Sequence, residues 1–417
     1  MSIFFEKNKI FLFLILINQI AIWSYASLLP MVLSKHYNFS DTFLSYTVTS
    51  FLIFFFLGMT YTNLKLDNKL NYTNYLLFGF LGLFSLTLFQ GFQIDNLNNK
   101  YIYIVLRSFE GFFHGYITIL LSFIFKSILV KENKNGLIHS LVVSFGYLVK
   151  ATLPIFISAF LLFQHFEIVI YWYASFIYLV IILFILYNKK IFSFKYQLRL
   201  RKSQGKSNNN SLKVSLFGIK HFYKDNIKLK IYYTFLIVVQ NLNRPFYDLY
   251  MVLLLINYYD FSILNATFIL SFMVFGQASQ VIPGYLSDKI RLDIFRLIGI
   301  ILYSTPIVII IFFPNIFNNI ILSCIIFFIF GVGRSFYASF DHKINMILIK
   351  EKTKINHISL IQNIIGEFTH YFSYILLGSI LWIGLDIKEL FYFSLIIVIL
   401  IYFAYFVFDR KYFNKIY

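Results

Sequence analysis

Apolar residues run through this chain in stretches of about 20, the length that crosses a ~30 Å hydrocarbon core, and polar residues gather between them. The runs are continuous rather than alternating and far exceed the ~10 residues of a barrel strand, so they predict helices. Twelve spans follow, at about 10–33, 44–62, 73–92, 101–125, 137–163, 167–187, 231–256, 263–283, 294–313, 320–341, 358–383 and 389–408. The first is too long for a signal-peptide core and lacks a small-residue cleavage site, so it is expected to remain as a membrane helix.

Composition agrees with the pattern. Of 417 residues, 59% are hydrophobic and 13% charged, about half the charge of a soluble protein. Abundant Phe, Tyr, Ile, Lys and Asn reads as a nucleotide bias toward A and T, so the 54 phenylalanines carry no chemical meaning here. One cysteine, Cys324, excludes a disulfide framework and a Cys-rich metal site. There is no phosphate-binding glycine loop, no catalytic metal spacing and no nucleophile–base pair. No enzyme, cofactor or metal is expected.

The net charge of +18 changes the picture only through its placement. With the N-terminus inside, 29 Lys and Arg residues lie on the cytoplasmic side and three (Lys35, Lys100, Lys388) on the other. That is the positive-inside asymmetry of a multi-pass protein in the cytoplasmic (inner) membrane, both termini cytoplasmic, and not a nucleic-acid footprint. The one long connection, residues 188–230, holds twelve basic residues against Asp225. It reads as a flexible cytoplasmic tether that obeys the charge rule, with a short surface helix at Leu216–Phe222; attraction to anionic headgroups of the lipid bilayer is the alternative.

The tether divides the chain into an N-terminal half, 1–187, and a C-terminal half, 231–417, each with six spans. The halves echo each other. Arg107-Ser108-Phe109 returns as Arg334-Ser335-Phe336, 227 positions later. Gly146–Lys150 lines up with Gly366–His370, Gln19 with Gln240, and Met31–Leu33 with Met251–Leu253, at offsets of 220, 221 and 220.

Two six-span halves in parallel repeat, joined by a basic loop, resemble the major facilitator superfamily of secondary transporters. Gly284-Tyr285-Leu286-Ser287-Asp288-Lys289 is similar to that family's loop signature, with Arg291 where a second glycine is usual. The resemblance implies a conformational latch at Gly284, Asp288 and Lys289. The glycine would allow close helix approach, and the aspartate would sit against a helix N-terminus. The first-half counterpart, Gly58–Lys65, keeps the glycine and loses the acid. Arg107, Gly111 and Gly115 match a second signature, whose arginine faces the central cavity. Small residues at this spacing also serve helix packing.

Eight charges fall inside the spans: Arg107, Lys150, Arg244, Arg334, Glu110, Asp248, Asp341 and Glu367. Unpaired, they would cost on the order of 20–28 kcal/mol, more than a typical protein's whole stability of about 5–15 kcal/mol. Pairing is expected for Arg107 with Glu110 and Arg244 with Asp248, each on one helix face, while Arg334 and Asp341 lie two turns apart on one side. The charged spans are four, five, seven, ten and eleven; the resemblance places these around the central cavity and leaves spans three, six, nine and twelve as uncharged supports.

Pro245 is expected to kink span seven and expose polar backbone near Gln240, Asn241, Asn243 and Arg244. The expected solute contacts are therefore Arg107, Lys150, Arg244, Arg334, Gln19, Gln240, Asn241 and Asn243. Glu110 with His114, Glu367 with His370, and Asp248 and Asp341 are the candidate proton carriers.

The reading is an all-α, twelve-helix secondary transporter, working as a monomer by alternating access. Its partners are protons and a small carboxylate-bearing or zwitterionic solute, an amino acid or organic acid, as the basic excess in the cavity suggests. A proton-driven exporter of drugs or of a carboxylate siderophore is the alternative. Span five lowers it, since Gly146, Lys150 and Pro154 lack the exporters' Gly-Pro pair. A non-transporting receptor or scaffold is the alternative of another class.

Overall fold

A backbone in hydrocarbon must satisfy its own hydrogen bonds, and the apolar runs do so as helices. The computed structural model describes residues 2–26, 28–35, 37–65, 72–93, 100–129, 135–164, 169–192, 227–287, 289–350 and 365–409. The helices are α1 (Ser2–Trp23), α2 (Leu29–Lys35), α3 (Asp41–Lys65), α4 (Tyr72–Gln93), α5 (Lys100–Leu129), α6 (Asn135–Gln164), α7 (Val169–Tyr187), α8 (Lys189–Phe192) and α9 (Ile227–Pro245). They continue with α10 (Ile263–Ala278), α11 (Val281–Leu286), α12 (Leu292–Phe312), α13 (Ile320–Lys350), α14 (Glu367–Trp382) and α15 (Ile387–Ala404). Eight stretches among the described residues are long and apolar enough to cross a membrane. The other four expected spans fall on α1, α6, α9 and α14. The expected surface helix at Leu216–Phe222 lies outside the described residues.

Local chemistry sets several boundaries. Asp386 and Glu389 form a capping box that starts α15, and the Ser262 hydroxyl caps α10 by accepting from the Asn265 amide at 3.2 Å. The first span, expected to be continuous, is broken between Trp23 and Leu29. Pro30 cannot donate to the carbonyl four residues back and its ring crowds that position, so the helix stops and restarts with proline in the first turn. At Pro245 the chain stays helical but widens. Phe246–Tyr250 is a π-helix, Met251–Leu253 one α turn, and Leu254–Tyr258 a second π segment. Proline's missing donor lets the ladder shift by one residue, and such bulges occur at functional sites.

The chain forms two compact units, Met1–Leu29 with Tyr46–Asn209, and Pro30–Ser45 with Asn210–Tyr417. The division differs from a clean cut in the tether, because the segment after the proline break packs in the second unit. There Ser34 Oγ donates to Asn257 Oδ1 at 2.8 Å and Asn257 Nδ2 donates to Asp41 Oδ1 at 2.6 Å. Ser45 Oγ donates to the Tyr374 carbonyl at 3.0 Å.

Glycines set the helix crossings. In the first unit, a Cβ on Gly58 would overlap the Phe112 carbonyl, and one on Gly111 or Gly115 the carbonyls of Phe51 or Phe55. In the second, Gly276 stands in the same way against Phe328, and Gly331 against Met273. These contacts fix the register of the repeat on α5 and α13. Gly115 corresponds to Gly331, 216 positions on, so Arg107 corresponds to Ser323 and Arg334 to Thr118. The Arg-Ser-Phe echo at 227 is therefore eleven residues out of register, about 16 Å along a helix. In the other echo the partner on the facing helix falls one residue past the expected Gln240. Gly146 packs on Gln19, and Gly366 on Asn241.

Candidate functional site

In the first unit the break in the first span drops Tyr25 onto α5. Its hydroxyl donates to Glu110 Oε1 and lies 2.7 Å from His114 Nε2. Gln90 Nε2 donates to Glu110 Oε2 at 2.8 Å, and Arg107 Nη1 to the same oxygen at 2.5 Å. Glu110 is 0% exposed, and Arg107 lies with its guanidinium carbon 4.6 Å from the Phe51 ring centroid. Both carboxylate oxygens are thus engaged in a closed, buried network that joins α4, α5 and the first-span break. Lys150 lies apart from it, its ammonium 4.4 Å from the Trp23 ring centroid, and Trp23 Nε1 donates to Gln19 Oε1 at 2.9 Å.

The second unit holds a more open cluster. Arg244 Nε donates to Asp248 Oδ2 at 3.2 Å, and Arg244 Nη1 is 3.9 Å from Glu367 Oε1. Glu367 Oε2 is 3.7 Å from His370 Nδ1, and neither His370 ring nitrogen has a hydrogen-bond partner. The Arg244 side chain is 40% exposed and that of Glu367 28%, so these charges reach space outside the unit's core.

One turn away is a cavity of about 160 Å³, lined by Gln240, Tyr247, Tyr303, Arg334, Tyr337 and Asp341 among others. The Arg334 guanidinium carbon stacks 3.7 Å from the Tyr247 ring centroid, and its Nη1 is buried without a hydrogen-bond partner. Asp341 accepts from Gln240 Nε2 at 3.0 Å instead of pairing with Arg334. The Tyr337 hydroxyl is also buried and unbonded. The π segment after Pro245 serves both places, sending Tyr247 beneath Arg334 and Asp248 toward Arg244.

Other expected site residues fall elsewhere. Asn243 is fully buried; its Nδ2 donates to the Tyr303 hydroxyl and its Oδ1 accepts from Ser394 Oγ, both at 2.6 Å, so both its ends tie helices together. Asn241 Nδ2 donates to the Ile237 carbonyl at 2.8 Å. At the loop signature, a Cβ on Gly284 would meet nothing within 4 Å among the described residues, so the close approach expected there is not made by them. Lys289 lies over the Tyr285 ring at 4.3 Å, and Asp288 is outside the described residues.

The expectation that spans nine and twelve carry no buried charge is corrected. Arg296, in the first turns of α12, is 2% exposed, and its Nε lies 3.7 Å from Asp409 Oδ2 at the end of the last span. Asp409 also accepts from the Tyr232 hydroxyl. Both charges sit at span ends, where position alone assigns them to the aqueous loops. Tyr25, Gln90, Tyr247, Tyr303 and Tyr337 were likewise not singled out. Gln90 had a signal, an amide within an apolar run. The four tyrosines had none, being four among 32 of their kind.

Helices of membrane-spanning length, with buried ion pairs and a polar cavity inside one unit, define a multi-span membrane protein. The sequence profile of the Major Facilitator Superfamily matches residues 11–345, and the chain belongs to that family. A comparison with curated protein sequences finds no match. Among solved structures, the fold is similar to the nucleoside transporter NupG. A point mutant of it gives a TM-score of 0.72 at 11% identity over 96% of this chain and 98% of that one. NupG itself gives 0.71 at 10% identity over 96% and 99%.

Proposed function

We propose that this member of the Major Facilitator Superfamily moves a small carboxylate-bearing or zwitterionic solute across the cytoplasmic membrane by alternating access, with the proton as coupling ion. The observation that carries the solute class is the unbonded Arg334 Nη1 in a cavity that also holds the Asp341 carboxylate. A buried donor without a partner costs about 1–3 kcal/mol, which an incoming carboxylate recovers. The donor end of the same solute, an ammonium or a hydroxyl, then meets Asp341. The volume suits a small group, since a cavity of about 150 Å³ accommodates a benzene ring.

Glu367 with His370 is the coupling pair in this reading. Its support is the contrast between a partly exposed carboxylate beside an unbonded imidazole and Glu110, which is sealed in its network. The excess of basic residues in one set of connections supports cytoplasmic termini. The protein works as a monomer.

A second reading is nucleoside transport. It draws on the three tyrosine rings of the cavity, which suit a planar base, and on the likeness in fold to NupG. Uptake into proteoliposomes separates the two. Amino acids, organic acids and uridine are offered under an imposed pH gradient, with and without a protonophore. Carboxylate uptake that collapses with the protonophore is the expected result. Uridine uptake without carboxylate uptake selects the second reading, and uptake indifferent to the gradient sinks proton coupling.

A further inference from the structure

Arg296 stands directly behind the cavity. Its guanidinium carbon is 4.1 Å from the ring centroid of Tyr337 and 4.5 Å from that of Phe340, while Tyr337 itself lines the cavity. The carboxylate beside it, on Asp409, is at 3.7 Å from Nε only, and Arg296 Nε, Arg296 Nη1 and Asp409 Oδ2 all lack hydrogen-bond partners. The ring faces, rather than the carboxylate, therefore fix where the guanidinium sits. A cation over a phenol ring draws electron density from it, which strengthens the hydroxyl as a donor and holds the ring in one rotamer. That hydroxyl is the second buried, unbonded polar group of the cavity, beside Arg334 Nη1.

Charge points the same way. Arg334 and Asp341 line the cavity, Arg296 lies against its wall at Tyr337, and Asp409 lies beside Arg296. Asp409 has its second oxygen bound by Tyr232 at the far side of Arg296, and Asp341 is held by Gln240. Of the residues that line the cavity, Arg334 and Tyr337 have donors left over, and Arg296 backs the second of them.

We propose that Arg296 is a positioning residue for the solute cavity: through the ring of Tyr337 it presents a strengthened phenol donor beside Arg334, and so sets the preference for a carboxylate over a neutral group of the same shape. The proposal rests on the reading of the cavity as a carboxylate site. A mere packing role for Arg296 would stabilise the helices without altering that preference.

The probes are benzoate and benzamide, which share a ring and differ in charge, titrated calorimetrically into the purified full-length protein in lipid nanodiscs. Wild type is expected to favour benzoate. Arg296→Met is expected to lose about tenfold in benzoate affinity while its benzamide affinity stays unchanged. Tyr337→Phe is expected to lose a similar factor, and adding Arg296→Met to it to cost nothing more, because one acts through the other. Arg296→Lys, which keeps the charge without the planar stack, is expected to fall between and carries the test if the methionine variant does not fold. Unchanged benzoate affinity in Arg296→Met, or a full additional loss in the double variant, overturns the role of Arg296 alone. A wild type that does not distinguish benzoate from benzamide, or an unaffected Arg334→Gln, overturns the carboxylate reading beneath it.

Discussion

Arg334 lies over Tyr247, guanidinium carbon 3.7 Å from the ring centroid, with Nη1 buried and unbonded. Stacking leaves the edge of the guanidinium, where its donors are, available to an acceptor. Arg334→Gln is therefore expected to weaken carboxylate binding about 10–100-fold, the worth of a charge-assisted hydrogen bond, while membrane insertion persists. Arg334→Lys is expected to recover only part of this, since an ammonium neither stacks nor forks. The check is the apparent KM for uptake in proteoliposomes, with expression in the membrane fraction as control.

Glu110 presents the opposite case, a fully buried carboxylate with both oxygens hydrogen-bonded. Tyr25, Gln90 and Arg107 all donate to it, and Glu110 is the carboxylate that pairs with Arg107 among the described residues. Removing one partner of a buried pair costs about 3–5 kcal/mol, because the other charge is stranded. Glu110→Gln is expected to lower the melting temperature of the purified protein far more than Asp248→Asn, whose partner Arg244 is partly exposed and has Glu367 nearby. Equal losses in the two variants would contradict the structural role assigned to the Glu110 network.

The glycines separate in the same experiment. Gly331→Val places a side chain against the Met273 backbone carbonyl, which cannot move aside, and is expected to abolish monodisperse protein on size-exclusion chromatography. Gly284→Ala meets nothing and is expected to fall within about 0.5 kcal/mol of wild type.

The helices were legible because hydrocarbon leaves a chain one way to satisfy its backbone, and eight of the expected spans are long and apolar enough among the described residues. The pairs Arg107–Glu110 and Arg244–Asp248 were legible because helical spacing puts them on one face. Arg296 and Asp409 were hidden by their place at span ends, where only tertiary packing, of Arg296 against Tyr337 and Phe340 and of Asp409 against Arg296 and Tyr232, decides that they are buried. Tyr25 was hidden because the break before Pro30 redirects it, and sequence periodicity presumes an unbroken helix. The repeat was legible, but its register on α5 and α13 was not. Three matching letters outvoted the glycine contacts that set the crossing, and only coordinates show those.

Lys35 and Asp260 form an exposed ion pair in the second unit, and Lys35 holds the Asp260 carboxyl below its usual range, through the hydrogen bond first and the charge second. A depressed carboxylate contributes stability above its unfolded value and loses it as pH falls through the folded one. The pair is solvated, so its effect is small and screened by salt. The difference in melting temperature between wild type and Asp260→Asn is expected to be present at neutral pH and low salt. It is expected to close both in acid and at high salt. A difference that survives acid would assign the effect to the turn itself, where Asp260 has a φ of 51°.

Glu367 stands between Arg244 and His370, 3.9 Å from one and 3.7 Å from the other, and is partly open. If it carries the coupling proton, its amide variant is locked in the protonated form. Glu367→Gln is then expected to exchange internal for external solute at near wild-type rate, because exchange needs no net proton movement. Accumulation driven by a pH gradient is expected to vanish, because the unloaded carrier can no longer release a proton. His370→Gln, which leaves the carboxylate but removes its neighbour, is expected to shift the pH profile of accumulation rather than abolish it. Both activities are measured in the same proteoliposomes with radiolabelled solute. Gradient-driven accumulation that survives Glu367→Gln would move the coupling site to Asp341 in the cavity, where the solute itself would compete with the proton.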